Sequence, residues 1–260
     1  MCHSVNLAIA ATLQSGAVTS ASAMVPCAWF PEAAEFCRMC PQFDIGVHLT
    51  LTCEWRDYKW RPVSSVAPSS KLVDRCGYFH ESATQLTDVP VHEIRTELDA
   101  QIALARAAGM SPTHIDSHAF SLASPTLIEV YLSVAESHQL SPLLNPFWHT
   151  FSLHRGSPRG ACVKVDRVFV ADPDRTPPSR LEDCYMSFIS QLKPGLSELL
   201  VHPGFDCSEL EAITKGHEAF GSQWRQRDFD ILSSARFRDE LKRARVHLVN
   251  WGTIRSSGAP

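Results

Sequence analysis

The sequence lacks any long hydrophobic run and any excess of basic charge. No apolar stretch approaches the roughly 20 residues that cross a bilayer, and the start, Met1-Cys2-His3-Ser4, has no basic region followed by an apolar core. Twenty-four lysines and arginines stand against 28 aspartates and glutamates, a net charge of -4. We therefore expect a cytoplasmic protein, and we do not expect a membrane-spanning, secreted or broadly nucleic-acid-binding one.

The nine cysteines lack the regular spacing of a disulfide framework. Their odd number and their scatter indicate reduced thiols, as in cytoplasmic proteins. Cys37 and Cys40 form one CxxC with no second pair nearby. A zinc or redox site there is the alternative, but two small apolar residues on a helix are the preferred interpretation.

What the sequence does contain is a regular alternation of helical and extended patterns without internal repeats. Its 260 residues and 44% hydrophobic content suit one α/β domain over 1–260. Parallel strands with helical crossovers are expected, closing as a barrel or staying an open sheet. Helices are predicted over 4–15, 30–40, 91–110, 124–140, 181–192 and 224–245, the last broken near Ser233. Strands are predicted over 17–25, 44–52, 113–118, 143–144, 163–170, 196–204 and 246–254.

Two long, irregular and proline-rich connections interrupt this alternation, over 53–90 and 148–180. Connections of that length in a compact domain are usually functional loops or lids. Trp55, Tyr58 and Trp60 lie close together in the first of them. Packing of these aromatic rings onto the body of the protein is favoured, and stacking on a sugar ring is the alternative.

Three predicted strands each carry a histidine, namely His48, His118 and His202. A single histidine on an apolar strand is most often a core residue whose ring nitrogens are satisfied by neighbours. Three of them favour one shared site, because chemistry in α/β proteins collects at the carboxyl ends of parallel strands. We therefore predict that the three imidazoles converge on one cation.

Asp116 stands two residues before His118, which puts both side chains on one face of the predicted strand. Such a pair places a metal ligand beside a carboxylate, or an imidazole beside its orienting acid. His48 and His118 as ligands would leave positions open for water and substrate, as in a hydrolytic site. No acidic pair is found at another strand end, since Asp44 begins its strand and Glu198 is expected deeper in the core.

Several segments in this order resemble the YdjC-like carbohydrate deacetylases, which are chitooligosaccharide deacetylases related to the polysaccharide deacetylases. The resemblance runs from residue 1 to about residue 254, and it includes the helix 93–109, the turn at Tyr78 and Arg227. The segments that carry it are Val18-Thr19-Ser20-Ala21-Ser22, Gly46-Val47-His48-Leu49-Thr50-Leu51-Thr52, Thr113-His114-Ile115-Asp116-Ser117-His118 and Glu198-Leu199-Leu200-Val201-His202-Pro203-Gly204.

This resemblance implies a distorted (β/α) barrel that removes acetyl groups from N-acetylated sugars by metal-dependent amide hydrolysis. It implies that His48 and His118 bind a divalent metal ion, Mg²⁺ or Zn²⁺, and that His202 protonates the departing amine. We further assign Asp116 to catalysis. Substrate binding is assigned to three residues: Arg227, Tyr78 and Phe120, the last of which lies where the family usually has further histidines.

The sequence departs from the family at its start. Family members begin with a strand ending in Asp-Asp-aromatic-Gly, just ahead of the helix that here starts at Ser4. The first aspartate is the expected base and the second a metal ligand. Met1 stands where that motif should end, so the first strand of the barrel is expected to be missing. A start site assigned too late, or a truncated chain, is the preferred explanation, and loss of the base is the alternative.

The sequence therefore leaves three functions open. The first is a metal-dependent carbohydrate deacetylase acting on an N-acetylated oligosaccharide. The second is a catalytically impaired barrel that binds a sugar or a metal, and the third is another metal-dependent hydrolase of the same barrel type. Nucleic acid and membranes are not expected partners, and a homodimer is left open.

Overall fold

The computed structural model describes residues 1–144, 163, 165–217 and 219–256. The chain folds into two compact units, each drawn from separate stretches of sequence. The first unit comprises Met1, Ser20–Lys164 and Trp251–Pro260, and the second comprises Cys2–Thr19 and Val165–Asn250. The single domain over 1–260 stays a prediction. Within the described ranges, no helix has the length and apolar character needed to cross a bilayer.

The described residues alternate between helices and short strands along most of their length. The helices are α1 (His3–Gln14), α2 (Phe30–Met39), α3 (Val91–Ala107), α4 (Pro125–His138), α5 (Pro178–Ser190), α6 (Ser208–Ile213), α7 (Ser222–Ser233), α8 (Ala235–Arg243) and α9 (Trp251–Ser256). The strands are β1 (Ser20–Ala23), β2 (Asp44–Leu49), β3 (His114–Ser117), β4 (Ser141–Pro142), β5 (Arg167–Val170) and β6 (Ser197–Leu200).

The first unit is built on a four-stranded sheet in the order β1-β2-β3-β4, with every pair parallel. Helices α2, α3 and α4 follow β1, β2 and β3 in the chain and return it to the same end of the sheet. Val47, Leu49 and Ile115 on the two central strands are fully buried. This is the parallel α/β arrangement that the alternating pattern predicts.

Helix α3 shows how the sequence positions these layers. Ile94, Leu98, Ile102 and Ala105 recur at helical spacing and are all fully buried, which gives the helix one continuous apolar face. The helix starts directly after Pro90, where proline's fixed φ suits a helix entrance. It packs on β2 and on α4.

A buried polar row on the same helix holds the long connection 53–90. The fully buried carboxylate of Glu97 accepts hydrogen bonds from the Val63 amide (3.0 Å) and from the amide and hydroxyl of Ser64 (2.8 and 2.6 Å). Gln101 donates to Glu97 (2.8 Å) and also pairs with both backbone groups of Thr50 (3.0 and 2.7 Å). The connection 53–90 is therefore held against α3 at Val63 and Ser64, close to the start of the connection.

The second unit has a two-stranded parallel sheet of β5 and β6. Helices α5, α7 and α8 pack against one another beside it. Large apolar side chains fill the space between these elements, among them Leu181, Tyr185, Trp224, Ile231 and Phe237. The prediction of one helical region broken near Ser233 is confirmed, since Ser234 ends α7 and caps α8 by accepting from the Phe237 amide.

The strand predicted over 246–254 is wrong. Residues 246–250 have no regular structure, and α9 begins at Trp251. An alternating pattern becomes a strand only where a partner strand is available to pair with it. Here the end of the segment is instead fixed by Trp251, which is buried and stacked on the His114 ring (centroids 5.4 Å apart). The Gly252 amide donates to Asp44 (2.7 Å). The short helix α6 was not predicted.

The remaining differences concern strand ends and the second long loop. Strand β3 stops at Ser117 and β6 at Leu200, so His118 and His202 lie just beyond their strands. About half of the predicted loop 148–180 falls on residues outside the described ranges, and its described part contains β5 and the start of α5. The predicted α/β fold with parallel strands is confirmed: the described strands form parallel sheets of four and two strands, an arrangement consistent with a distorted barrel, and they do not form a closed one.

Replacing Glu97 by alanine should destabilise the protein by roughly 2 to 4 kcal/mol, because it leaves one buried and three part-buried donors without this acceptor. Urea unfolding followed by circular dichroism measures this loss. Glu136→Ala, the same change at an exposed position of α4, is the matched control and should shift stability by no more than about 0.5 kcal/mol. Equal effects of the two substitutions would contradict the anchoring role of Glu97.

Candidate active site

The site is organised by the register between β2 and β3, which sets His48 directly beside Asp116. Neighbouring side chains in a parallel pair point to the same face of the sheet. His48 Nδ1 lies 2.7 Å from Asp116 Oδ1, and both side chains are largely buried. The partner of Asp116 is therefore His48 on the adjacent strand, rather than His118, which lies just beyond the end of β3.

His118 completes the arrangement from the turn that follows β3. Its Nδ1 faces His48 Nε2 at 3.2 Å, and its Nε2 lies 2.8 Å from Glu54 Oε2. The two rings meet edge to face with centroids 5.2 Å apart. Two imidazoles thus stand between two carboxylates, in the order Asp116, His48, His118 and Glu54.

This order decides which ring nitrogens carry hydrogen. An ionised carboxylate accepts hydrogen bonds and cannot donate them, so the nitrogens facing Asp116 and Glu54 are the protonated ones. In the neutral rings, His48 Nε2 and His118 Nδ1 then both present lone pairs to each other across 3.2 Å. Two facing lone pairs repel, and a proton or a metal ion between them would remove the repulsion.

The separation of these two nitrogens fits a metal ion. Two imidazoles bound to tetrahedral zinc, with bonds of about 2.05 Å, have nitrogens roughly 3.3 Å apart, close to the 3.2 Å observed. Carboxylates behind both rings are the usual outer partners of metal-bound histidines. Within the described ranges, however, no three His, Cys, Asp or Glu side chains are grouped so that they could jointly hold a metal.

Asp116 is itself held in place by β1. Ser22 Oγ donates to Asp116 Oδ2 at 2.8 Å, so both carboxylate oxygens are engaged. Burial alone would raise the pKa of Asp116, but the charge and hydrogen bond of His48, the charge of His114 and the Ser22 hydroxyl outweigh burial and lower this pKa. The carboxylate therefore stays ionised and orients His48.

The backbone after His118 is strained. Ala119 and Phe120 both have φ of +49°, a left-handed conformation that residues with a Cβ rarely adopt. The turn is closed by Ser121, whose amide donates to the His118 carbonyl at 3.0 Å, and by Ser117, whose hydroxyl accepts from the Leu122 amide. Strain of this kind is retained where a side chain must be aimed, and here the turn directs His118 towards His48.

The connection 53–90 supplies one wall of the site. Trp60 contacts the His118 ring edge to face (6.0 Å between centroids) and donates from Nε1 to the Thr52 carbonyl (2.9 Å). Trp55 and Trp60 are 1% and 3% exposed, so the prediction that these aromatics pack onto the body is confirmed for both. Tyr58 donates to the Met1 carbonyl and rests on Trp60.

The predicted turn around Tyr78 is confirmed. The Asp74 carboxylate accepts from the amides of Cys76 and Tyr78, and the Arg61 guanidinium lies 4.5 Å from the centre of the Tyr78 ring. Tyr78 and Phe120 are both half-buried. Their assignment to substrate binding stays a prediction.

His202 and Arg227 belong to the second unit. The His202 amide donates to the buried carboxylate of Asp228 at 2.6 Å, and the His202 ring packs on Phe220. Arg227 forms an ion pair with Glu182 of α5 at 2.7 Å. The convergence of His202 on His48 and His118 stays a prediction, as does contact between Arg227 and a substrate.

The sequence profile of the YdjC-like proteins matches residues 1–243. The chain belongs to the YdjC-like protein family. The match covers both His48 and His118, the turn that carries Tyr78, and the segment that contains His202, so all the motifs of the resemblance fall within it.

Individual relatives agree with this membership. A carbohydrate deacetylase of Thermus thermophilus is 30% identical over 256 residues, covering 94% of this chain and 87% of the relative. A chitooligosaccharide deacetylase of Proteus mirabilis is 32% identical over 114 residues, 44% of this chain and 42% of the relative. The fold is shared with a solved structure from Enterococcus faecalis V583, a protein whose proposed role is cellobiose-phosphate cleavage. The two structures align with a TM-score of 0.77 over 98% of this chain and 94% of the other, at 23% sequence identity.

Sequence reasoning missed two members of this YdjC-like site, Glu54 and Ser22. Ser22 lies in a segment that carried the resemblance, and its place follows from the parallel register between β1 and β2. Glu54 is the first acid after the His48 strand, and that proximity was its only signal. In the CxxC, Cys37 lies on α2 and Cys40 directly follows that helix; the two thiols are not joined in a disulfide, and burial raises the pKa of Cys37 to about 11.

Asp116→Asn should destabilise the protein most at neutral pH. A carboxyl group with a lowered pKa in the folded state adds stability above its unfolded pKa of about 3.9, and this stability is lost as the pH falls through the lower folded value. Urea unfolding at pH 6 should therefore show a larger difference between wild type and variant than at pH 3. Asp239→Asn, at an exposed position of α8, should show no such trend. A difference that grew in acid would contradict the lowered pKa of Asp116.

Proposed function

We propose that this chain is a metal-dependent carbohydrate deacetylase that hydrolyses the N-acetyl group of an oligosaccharide. The observation that carries the proposal is the pair of facing nitrogens on His48 and His118, each backed by a carboxylate. The pair occurs in a YdjC-like chain whose relatives include carbohydrate deacetylases. Amide hydrolysis suits such a pair, because a cation held by two ligands retains positions for water and substrate.

His48 Nε2 and His118 Nδ1 are the proposed ligands of the divalent cation. When bound, the cation would polarise the acetyl carbonyl and lower the pKa of a bound water. Two imidazole ligands suit zinc better than magnesium, so Zn²⁺ is the preferred candidate and Mg²⁺ the second. Asp116 and Glu54 act behind the ligands, keeping hydrogen on the outer nitrogens and lone pairs on the inner ones.

The remaining roles follow the family resemblance. His202 is the proposed proton donor to the amine that leaves when the carbon–nitrogen bond breaks. The predicted catalytic role of Asp116 is narrowed to orienting His48, because Ser22 and His48 occupy both of its oxygens. Tyr78, Phe120 and Arg227 are proposed to contact the sugar. The protein is proposed to be cytoplasmic and, with a net charge of -4, to use neither nucleic acid nor membranes as partners.

A second candidate function is a barrel that binds a sugar or a metal without turnover. One observation favours it: in the part of the chain that the structure describes, no third His, Cys, Asp or Glu joins the two imidazoles as a metal ligand. The two functions differ in one product, because only the enzyme releases acetate.

The proposed activity is tested by incubating the protein with N,N'-diacetylchitobiose and either Zn²⁺ or Mg²⁺ and measuring acetate. We expect acetate release that falls by roughly a thousandfold in His48→Ala and in His118→Ala, since each removes a proposed ligand. His92→Ala, at an exposed histidine of α3, should keep full activity. Absence of acetate with wild-type protein, together with saturable binding of the sugar or the metal, would reject the enzyme in favour of the second candidate.

Metal affinity tests the ligand pair separately from turnover. In calorimetric titrations with Zn²⁺, His118→Ala should abolish binding at the site. Glu54→Ala should weaken it about 10- to 100-fold, the usual effect of removing an outer carboxylate. Glu81→Ala, at an exposed position of the same connection, is the matched control and should bind like wild type. Unchanged zinc binding in His118→Ala would show that the ligand assignment is wrong.

A further inference from the structure

The segment His202-Pro203-Gly204 has no regular secondary structure, yet α7 holds its backbone from several directions. It begins two residues after β6 ends at Leu200. The His202 amide donates to Asp228 Oδ2 at 2.6 Å, a short bond to a charged acceptor. Asp228 is fully buried on α7, so the acceptor is fixed by the packing of that helix.

Arg225, one turn earlier on α7, holds the other side of the segment. Its Nη1 donates to the His202 carbonyl at 3.4 Å, and its own carbonyl accepts from the Gly204 amide at 3.1 Å. Its Nε donates to the Phe220 carbonyl at 2.7 Å. Asp228 and Arg225 therefore engage both the amide and the carbonyl of His202, so the peptide groups on either side of the residue are held.

The approach of this segment to α7 depends on Gly204. A Cβ at that position would lie 3.0 Å from Leu210 Cδ2, 3.1 Å from Arg225 Cβ and 3.2 Å from Val5 Cγ2. Contacts this short require the neighbours to move, so a larger residue would lift the segment away from the helix.

The orientation of the His202 ring is restricted as well. Phe220 lies against it with centroids 4.6 Å apart, and Phe220 has a left-handed φ of +54°. The carbonyl of Phe220 is the one that Arg225 holds. One arginine thus connects the backbone of His202 to the residue that covers its ring.

Burying the ionised carboxylate of Asp228 on α7 costs free energy. Burial raises the pKa of Asp228 to about 6, against the hydrogen bonds from Tyr185 and the His202 amide and the charge of Arg225, which all lower it. An apolar residue would suit a purely structural position better, because a buried charge is often less stabilising than well-packed hydrocarbon. The arrangement is therefore better explained by a need to fix His202.

We propose that Asp228 and Arg225 are positioning residues that present the His202 imidazole in one orientation for proton donation. This rests on the proposed function, in which His202 gives its proton to the departing amine. When the tetrahedral adduct collapses, the electron pair of the carbon–nitrogen bond passes to nitrogen, which takes the His202 proton, and acetate and the amine are the products. A misaligned ring would slow this step and leave substrate binding intact.

Amide hydrogen exchange followed by NMR tests whether α7 holds the His202 backbone, and it requires no assay of activity. Asp228→Leu removes both acceptor oxygens at similar volume, so we expect the His202 amide to exchange at least tenfold faster than in wild type. Tyr185→Phe is the matched control: it removes the 2.6 Å bond from Tyr185 to Asp228 Oδ1 and leaves the bond to His202. Unchanged protection of His202 in Asp228→Leu would overturn the proposal, whatever the protein catalyses.

Kinetics test the consequence for proton donation. An N-acetyl amide needs a proton on its leaving nitrogen, whereas 4-nitrophenyl acetate releases a stable phenolate that needs none. Asp228→Leu should lower kcat for the amide roughly 10- to 100-fold, within the range of general acid catalysis, with KM unchanged. It should lower hydrolysis of the ester by no more than about twofold. Equal losses on both substrates, or a change in KM alone, would contradict the positioning role.

Arg225→Gln provides a second variant if Asp228→Leu does not fold. It keeps the carboxylate but removes the guanidinium bonds to the His202 and Phe220 carbonyls, and the same selective loss on the amide is expected. If wild-type protein releases no acetate, the proposed function fails, while hydrogen exchange still decides whether α7 fixes His202.

Discussion

Two ring nitrogens that face each other at 3.2 Å, on His48 and His118, are the constraint on which the candidate site depends. Each ring has a carboxylate on its far side, and both carboxylates fix the hydrogens outward. In the neutral rings the lone pairs are thereby turned inward, where a proton or a metal ion held between them would relieve their repulsion. The proposed cation would owe its affinity to this orientation, since no three His, Cys, Asp or Glu side chains among the described residues are grouped to hold a metal.

The fold enforces this orientation through a few exact registers and turns. Parallel pairing of β2 with β3 sets His48 beside Asp116, and Gly46 lets these strands approach, since a Cβ there would lie 2.5 Å from the His114 carbonyl. At the opposite end of β2, Asp44 is hydrogen-bonded to Thr113 and to α9. These contacts tie the amino end of β2 to its neighbours, while the proposed site lies at the carboxyl end, where parallel α/β proteins usually carry their chemistry.

Much of this organisation could be read from the sequence, because periodicity reports burial. The apolar face of α3 and the break at Ser233 follow from spacing and capping alone. The position of Asp44 at the wrong strand end was also predictable. The family resemblance added His48 and His118 as ligands, and the structure places their rings in contact.

Other features depend on tertiary structure that no local pattern reports. The partner of Asp116 is set by strand register across 68 residues, and the contact between Glu54 and His118 requires a loop fastened by Glu97. Residues 246–254 alternate like a strand, but burial of Trp251 against His114 makes their end helical. The left-handed turn at Ala119 and Phe120 contains no glycine that would have indicated it.

The most direct measurement is the anomalous scattering of Zn²⁺ in crystals of the full chain. A shared cation site predicts one strong peak about 2.1 Å from both His48 Nε2 and His118 Nδ1, with Asp116 and Glu54 still on the outer nitrogens. A peak bound through the carboxylates, or two rings joined by a hydrogen bond with zinc located elsewhere, would contradict it.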